Sequence, residues 1–255
     1  MPRRPVCSRR RGRCAVAKVR GSRTRSERWR RHAGPNATSR RVRALVRRLD
    51  GVHGPFRPRP GLDPLAGLIQ TILSQATNDR NSSLAFERLA ARFPIGWEQV
   101  LEAPLAEVEE AIRPGGLGRT KSRVIHAVLE ELRSRPTGFS LADLADTPHD
   151  AALAALTALP GVGLKTAACV LLFDLGRPFM PVDTHVLRLS RRLGLVADRA
   201  TADQTHHVLT AITPVDLVYP LHVGLIAHGR AVCRAGRPRC ADCVLAELCP
   251  AVSIG

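Results

Sequence analysis

Four cysteines, Cys233, Cys240, Cys243 and Cys249, stand in one compact run spaced C-x6-C-x2-C-x5-C. With no secretory leader visible, thiols crowded this closely point to ligation in a reducing compartment rather than to a disulfide framework. They can hold a [4Fe–4S] cluster or a tetrahedral zinc ion. Zinc sites usually pair their ligands as two short C-x-x-C-like units, and here only Cys240/Cys243 makes such a pair. A second chemical cue is a lysine. Only Lys18, Lys121 and Lys165 stand against 36 arginines. Where charge alone matters this chain uses arginine, so Lys165 invites a further reason: an amine can lose its proton and act as a nucleophile, and a guanidinium cannot. Eighteen positions on, within Val182-Asp183-Thr184-His185, stands the carboxylate of Asp183.

Lys165 belongs to Leu159-Pro160-Gly161-Val162-Gly163-Leu164-Lys165-Thr166-Ala167. Glycines allow positive φ and clear the approach path, so the amides of this turn and of the next helix's first turn face outward as a phosphate site. No strand precedes it, which argues against a nucleotide-binding P-loop. The plain alternative is a connection between two helices. Taken alone, Lys165 also reads as a phosphate contact and Asp183 as a helix N-cap. A second turn, Gly115-Gly116-Leu117-Gly118-Arg119-Thr120-Lys121, offers further phosphate contacts or a tight interhelical link.

These residues must be positioned by helices. Apolar positions recur at helical spacing from Ser39 to Leu49, after which the Pro-rich stretch Gly51 to Gly61 breaks the pattern. Asp63-Pro64 reads as N-cap plus N1 proline, and Asn78-Asp79 as the next helix start. Short helices follow around Leu105–Ile112, from Thr120, after Asp150, from Leu164 and after Asp183. No sustained period-2 alternation occurs. The expected fold class is all-α, built from short helices with short Gly/Pro turns.

The run Leu-Pro-Gly-Val-Gly-x-Lys-Thr-Ala followed by Val-Asp-Thr-His resembles the helix–hairpin–helix motif of the endonuclease III family. Leu225-Ile226-Ala227-His228-Gly229-Arg230 leading into Cys233, and the four-cysteine spacing, are similar to that family's iron–sulfur loop. The resemblance covers roughly residues 62–250. It implies a six-helix barrel over 62–177 that includes the hairpin, and a cluster domain made of 39–61 and 178–255, two helical domains with a cleft between them. It implies Lys165 as the nucleophile, Asp183 as the catalytic carboxylate and the four cysteines as ligands of a [4Fe–4S] cluster. Gly161, Val162, Gly163, Thr166, Gln75 and His185 become expected DNA-contacting residues, His185 chiefly as a structural hydrogen-bond partner. The segment Leu73-Ser74-Gln75-Ala76-Thr77 resembles the region whose glutamine enters the gap left by a flipped base. Counting from Ser74 puts that position at Ala76, and aligning on Gln-Ala-Thr puts it at Gln75. Thr157 stands where some relatives carry an acid.

The implied activity is a DNA glycosylase with β-elimination lyase activity, removing damaged, chiefly oxidised, pyrimidines from double-stranded DNA. A base must leave the stack before its sugar C1′ can be attacked. The rival readings are excision of another lesion or mismatch, and a non-catalytic DNA binder. A binder needs neither Lys165 nor Asp183, and an adenine-specific relative would typically lack the lysine.

The formal charge of +17 is unevenly placed: residues 1–48 hold 18 basic residues and one acid, Glu27, and the rest holds 21 of each sign. The basic segment 1–38, expected to be disordered, favours polyanions through counterion release. An Arg-rich, acid-poor segment also resembles an organellar transit peptide; otherwise the expectation is the cytoplasm or nucleoid of a bacterium. No run of apolar residues is long enough to span a membrane. Nine aromatics disfavour a stacking platform for single strands. The expected partner is a monomeric enzyme's duplex substrate, carrying a damaged base or abasic site.

Overall fold

The computed structural model describes residues 35–58, 61 and 63–252. The arginine-rich segment 1–34, with Cys7 and Cys14, lies outside the described residues. Among those described, every regular element is helical and no strand occurs. In chain order the helices are α1 Pro35–His53, α2 Pro64–Leu73, α3 Asp79–Arg92, α4 Trp97–Glu102, α5 Leu105–Ala111, α6 Gly118–Arg133, α7 His149–Thr157, α8 Leu164–Cys169, α9 Thr184–Arg192, α10 Ala202–Ile212 and α11 Val218–Ala231. A π-turn, Val170–Asp174, continues α8 without a break.

The local chemistry explains the starts. Asp63 opens α2 by accepting the amides of Leu65 and Ala66 at 3.1 and 3.2 Å, with Pro64 in the first turn. Asn78 opens α3 by accepting from Asn81 N at 2.9 Å. Thr201 and Gln204 form a reciprocal capping box on α10. Several boundaries differ from the sequence reading. α1 runs past Gly51 to His53, because Leu45 and Leu49 are fully buried and packing holds the last turn. α6 starts at Gly118 rather than Thr120. α7 starts at His149, so Asp150 lies in its first turn, where its charge complements the helix dipole rather than capping.

Two apolar cores form. One gathers α2 through α8, from Leu65 to Phe179, and includes Leu68, Ile72, Ile125, Leu129 and Leu156. The other joins Val42, Leu45 and Leu49 of α1 to residues from Leu172 to Leu245, Leu189 and Leu225 among them. Each such leucine contributes about 1.5–3 kcal/mol through burial. α1 therefore belongs with the C-terminal helices although 130 residues separate them in sequence. Its arginines reinforce this. Arg41 donates to the carbonyls of Leu193 and Leu248, the latter at 2.8 Å, and Arg48 donates to Val244 O at 3.0 Å. Arg41 and Arg48 thus tether the loop that holds Cys243 and Cys249.

Candidate active site and cysteine centre

The hairpin joins α7 to α8. Gly161 adopts φ +71°, and a Cβ there would lie 2.8 Å from Val124 Cγ1, so only glycine lets the turn rest on α6. Val162 is buried in the first core, and its N–H bonds Leu159 O at 3.1 Å. Gly163, the N-cap of α8, faces open space. Outward donation at the hairpin therefore falls to the backbone around Gly161, Gly163 and the first turn of α8. Thr166 is buried, and its hydroxyl accepts from Gln75 Nε2 at 3.4 Å. Thr157 is exposed and bonds back to Leu153 O at 2.9 Å.

Lys165 stands exposed on the first turn of α8, at a pocket of about 300 Å³ that Ser74, Asp79, Cys169, Phe173 and Asp174 also line. Asp183 is half-buried at the start of α9, with Oδ1 accepting from Val186 N at 2.7 Å. The charges of Lys165 and Asp183 act on the same two buried side chains, Cys169 and His222. The amine and the carboxylate thus converge from two different helices. Burial pushes the pKa of His222 down to about 4, and its Nδ1 bonds Pro181 O at 2.9 Å, which makes it a neutral Nδ1–H donor near pH 7. Arg230 bridges α11 to α3 through Asp79, at 2.8 and 3.4 Å, and that bond strengthens its hold on its proton. His222 and the Arg230–Asp79 bridge escaped the sequence reading; α11 is apolar on most sides and gives no stripe to mark them.

Two turns flank this site. Lys121, only 2% exposed, donates to Leu73 O at 2.7 Å and Gly115 O at 2.8 Å. Burial lowers its pKa. One ammonium therefore ties the turn holding Gln75 and Ala76 to the turn holding Leu117. Ala76 and Leu117 are the non-glycine residues with positive φ among those described, at 51° and 52°. Leu117 is 59% exposed. Such strain persists where the surroundings over-determine the backbone, and it concentrates at functional sites. Lys121 thus has a structural part, not the phosphate contact that its turn suggested.

His185 packs on Gly229, with its Nδ1 accepting from Arg188 Nη2 at 3.0 Å. Arginine only donates, so the ring proton sits on Nε2. Arg188 also donates to Gly229 O and Cys233 O, at 3.0 and 3.1 Å, and links α9 to α11 and to the cysteine loop.

Cys233, Cys240, Cys243 and Cys249 are unbridged, partly buried and line one small cavity of about 40 Å³. No three His, Cys, Asp or Glu side chains among the described residues converge on a single-ion site. The donors around the sulfurs are nonetheless suited to thiolates. Arg192 Nη1 lies 3.2 Å from Cys233 Sγ, and His228 Nε2 lies 3.2 Å from Cys243 Sγ. Backbone groups of Leu245 and Ala251 bond Cys243 and Cys249. Burial, then mutual repulsion among the four sulfurs, raises the pKa of Cys243 and Cys249. Such a set needs an internal cation before its members can all be deprotonated.

The chain is similar to known proteins over most of its length. Endonuclease III of Thermotoga maritima is 34% identical over 189 residues, 73% of this chain and 83% of that protein. A candidate DNA glycosylase of Arabidopsis thaliana is 37% identical over 166 residues, which cover 65% of this chain and 56% of that relative's length. Among solved structures, a trapped covalent intermediate of endonuclease III with DNA superposes with a TM-score of 0.71 at 28% identity, over 84% of this chain and 96% of that one. A thermostable thymine-DNA glycosylase, 20% identical with a TM-score of 0.70, over 84% of this chain and 98% of that one, shares the fold. Residues 69–214 match the HhH-GPD superfamily of base excision DNA repair proteins, and the chain belongs to that family.

Proposed function

We propose that this chain is a base-excision DNA glycosylase that also cleaves the strand, acting on double-stranded DNA with oxidised pyrimidines. The observation that carries this reading is that Lys165 lines the pocket while its charge and that of Asp183 act on the same two buried side chains, Cys169 and His222. The pocket is large enough to receive a base turned out of the duplex. The neutral Lys165 amine attacks C1′ as the base departs. The transition state is oxocarbenium-like, and the Asp183 carboxylate stabilises its positive charge and helps remove the amine's proton. Opening of the sugar ring at the C1′–O4′ bond, with O4′ taking up a proton, then gives a Schiff base to Lys165. Loss of the 2′ proton then expels the 3′ phosphate.

The surroundings supply binding. The backbone of Gly161, Gly163 and Thr166 holds one strand by its phosphates, without regard to sequence. Gln75, braced by Thr166, and the exposed Leu117 flank the space from which the base departs. An apolar side chain on a pinned turn can wedge between base steps. His185, with Nε2–H as donor, and Arg188 brace the wall below Asp183. The hairpin barrel of 62–177 and the unit of 39–61 with 178–255 form two domains on this reading, supported by the two separate cores.

Cys233, Cys240, Cys243 and Cys249 would hold a [4Fe–4S] cluster. When bound, it acts as a folding staple for the loop around Arg234, Arg237 and Arg239. No helix among the described residues is long and apolar enough to cross a membrane, and the reading places a monomer on DNA in the cytoplasm or nucleoid. A panel of duplexes tests the substrate class. Each carries one oxidised pyrimidine, oxidised purine, mismatch or abasic site. Preferential excision of oxidised pyrimidines is expected; preference for a purine lesion would replace that substrate while leaving the lyase reading intact.

A further inference from the structure

Among the groups that face the catalytic pocket, Cys169 has no part in the chemistry described above. It is the last residue of α8, four positions after Lys165, so the two share a helix face. The chain then changes register. Residues Val170–Asp174 form a π-turn, closed by Leu175 N bonding Val170 O at 3.1 Å. In a continuing α-helix, a five-residue step would rotate Asp174 about 140° away from Cys169. In a π-turn the same step brings it round to the same face. Lys165, Cys169 and Asp174 consequently form one line, and all three border the same pocket. Opposite them α2 presents Gly67; a Cβ there would fall 2.0 Å from Asp174 Oδ2, so α2 has no side chain at that point.

The Cys169 side chain is 5% exposed, borders the same pocket as Lys165, and lies near enough for the amine to act on its thiol. Burial, its largest influence, raises the pKa of the thiol; Lys165 acts against that rise, and the negative charges of Asp183 and Asp174 add to it. Cys169 is therefore neutral near pH 7. A neutral thiol can take part in a weak hydrogen bond with the amine and adds no charge beside it.

We propose that Cys169 is a positioning residue for the reaction at Lys165, its thiol directing the amine into the pocket while the π-turn behind it sets Asp174 on the same wall. This rests on the glycosylase/lyase reading.

The test uses full-length wild type, Cys169→Val and Cys169→Ser at saturating enzyme, on a duplex with one abasic site. Borohydride trapping gives the rate of Schiff-base formation. Affinity is read on a duplex with a tetrahydrofuran site, which cannot form the adduct. Valine fills the space without the hydrogen bond; serine restores it. We expect Cys169→Val to slow trapping about tenfold with affinity changed by less than about twofold, and Cys169→Ser to recover to within about threefold of wild type. A wild-type rate in Cys169→Val would overturn the proposal. So would equal slowing in both variants, which would make Cys169 a packing residue. If valine unfolds the protein, Cys169→Ala takes its place with the same expected rates. Trapping by wild type and its loss in Lys165→Ala test the underlying reading separately, whatever Cys169 does.

Discussion

Asp183 Oδ1 accepts the backbone N–H of Val186 at 2.7 Å, so the carboxylate we propose to act with Lys165 is also the cap of α9. The cap fixes where the charge sits. One bond holds the carboxyl to the helix start, from which its charge acts on the buried Cys169 and His222.

The two roles separate by substitution. Asparagine caps about as well as aspartate, so Asp183→Asn should keep the melting temperature, whereas Asp183→Ala should cost about 1 kcal/mol of stability. Both should slow single-turnover base release by about 10²–10³-fold, the range for removing one electrostatic stabiliser. Release at the wild-type rate by Asp183→Asn would reduce the residue to a cap.

His222 makes stability depend on acid. Burial, opposed by the Asp183 charge and the Pro181 bond, depresses its folded pKa to about 4, below the unfolded value of 6.5. The unfolded chain thus binds the proton more readily between those values. The stability is present above pH 6.5 and is lost as pH falls towards 4. By pH 5 the loss from this group is about 2 kcal/mol relative to pH 7.5. Urea unfolding at the two pH values should show a drop smaller by about that amount in His222→Gln. Identical drops in both proteins would mean that the ring is not buried neutral.

The cysteine centre predicts colour and iron. Protein made and purified without oxygen should be brown, with about four irons per chain, and Cys240→Ser should lose iron and fold poorly. Stoichiometric zinc under the same conditions would show that the donors around Cys233 and Cys243 serve a different metal.

The sequence made some of this legible, and the reasons differ by element. Asp63 and Asn78 announce α2 and α3 because a capping side chain leaves a local signal. Lys165, Asp183 and the four cysteines stand out because their chemistry is rare at that spacing. α11 gave no such signal. It is buried around much of its circumference, with Leu221, His222, Gly224, Leu225 and His228 all inside, so no polar stripe marks it. α4 is short, and its N-cap Gly96 has no side chain to make a capping bond. α10 did have a signature, Thr201 followed three positions later by Gln204, and it was missed. Cys169 reads from sequence as a core residue of its helix, and it is buried; what the sequence conceals is the π-turn, which has no residue signature and which aligns Cys169 with Asp174.

Borohydride trapping on abasic duplex DNA tests the central claim most directly. With only three lysines in the chain and Lys121 buried against two carbonyls, few amines compete with Lys165. Wild type should give a stable covalent adduct, and Lys165→Ala should give none while still binding the same duplex. An undiminished adduct in Lys165→Ala would contradict the account, because the nucleophile would then lie elsewhere.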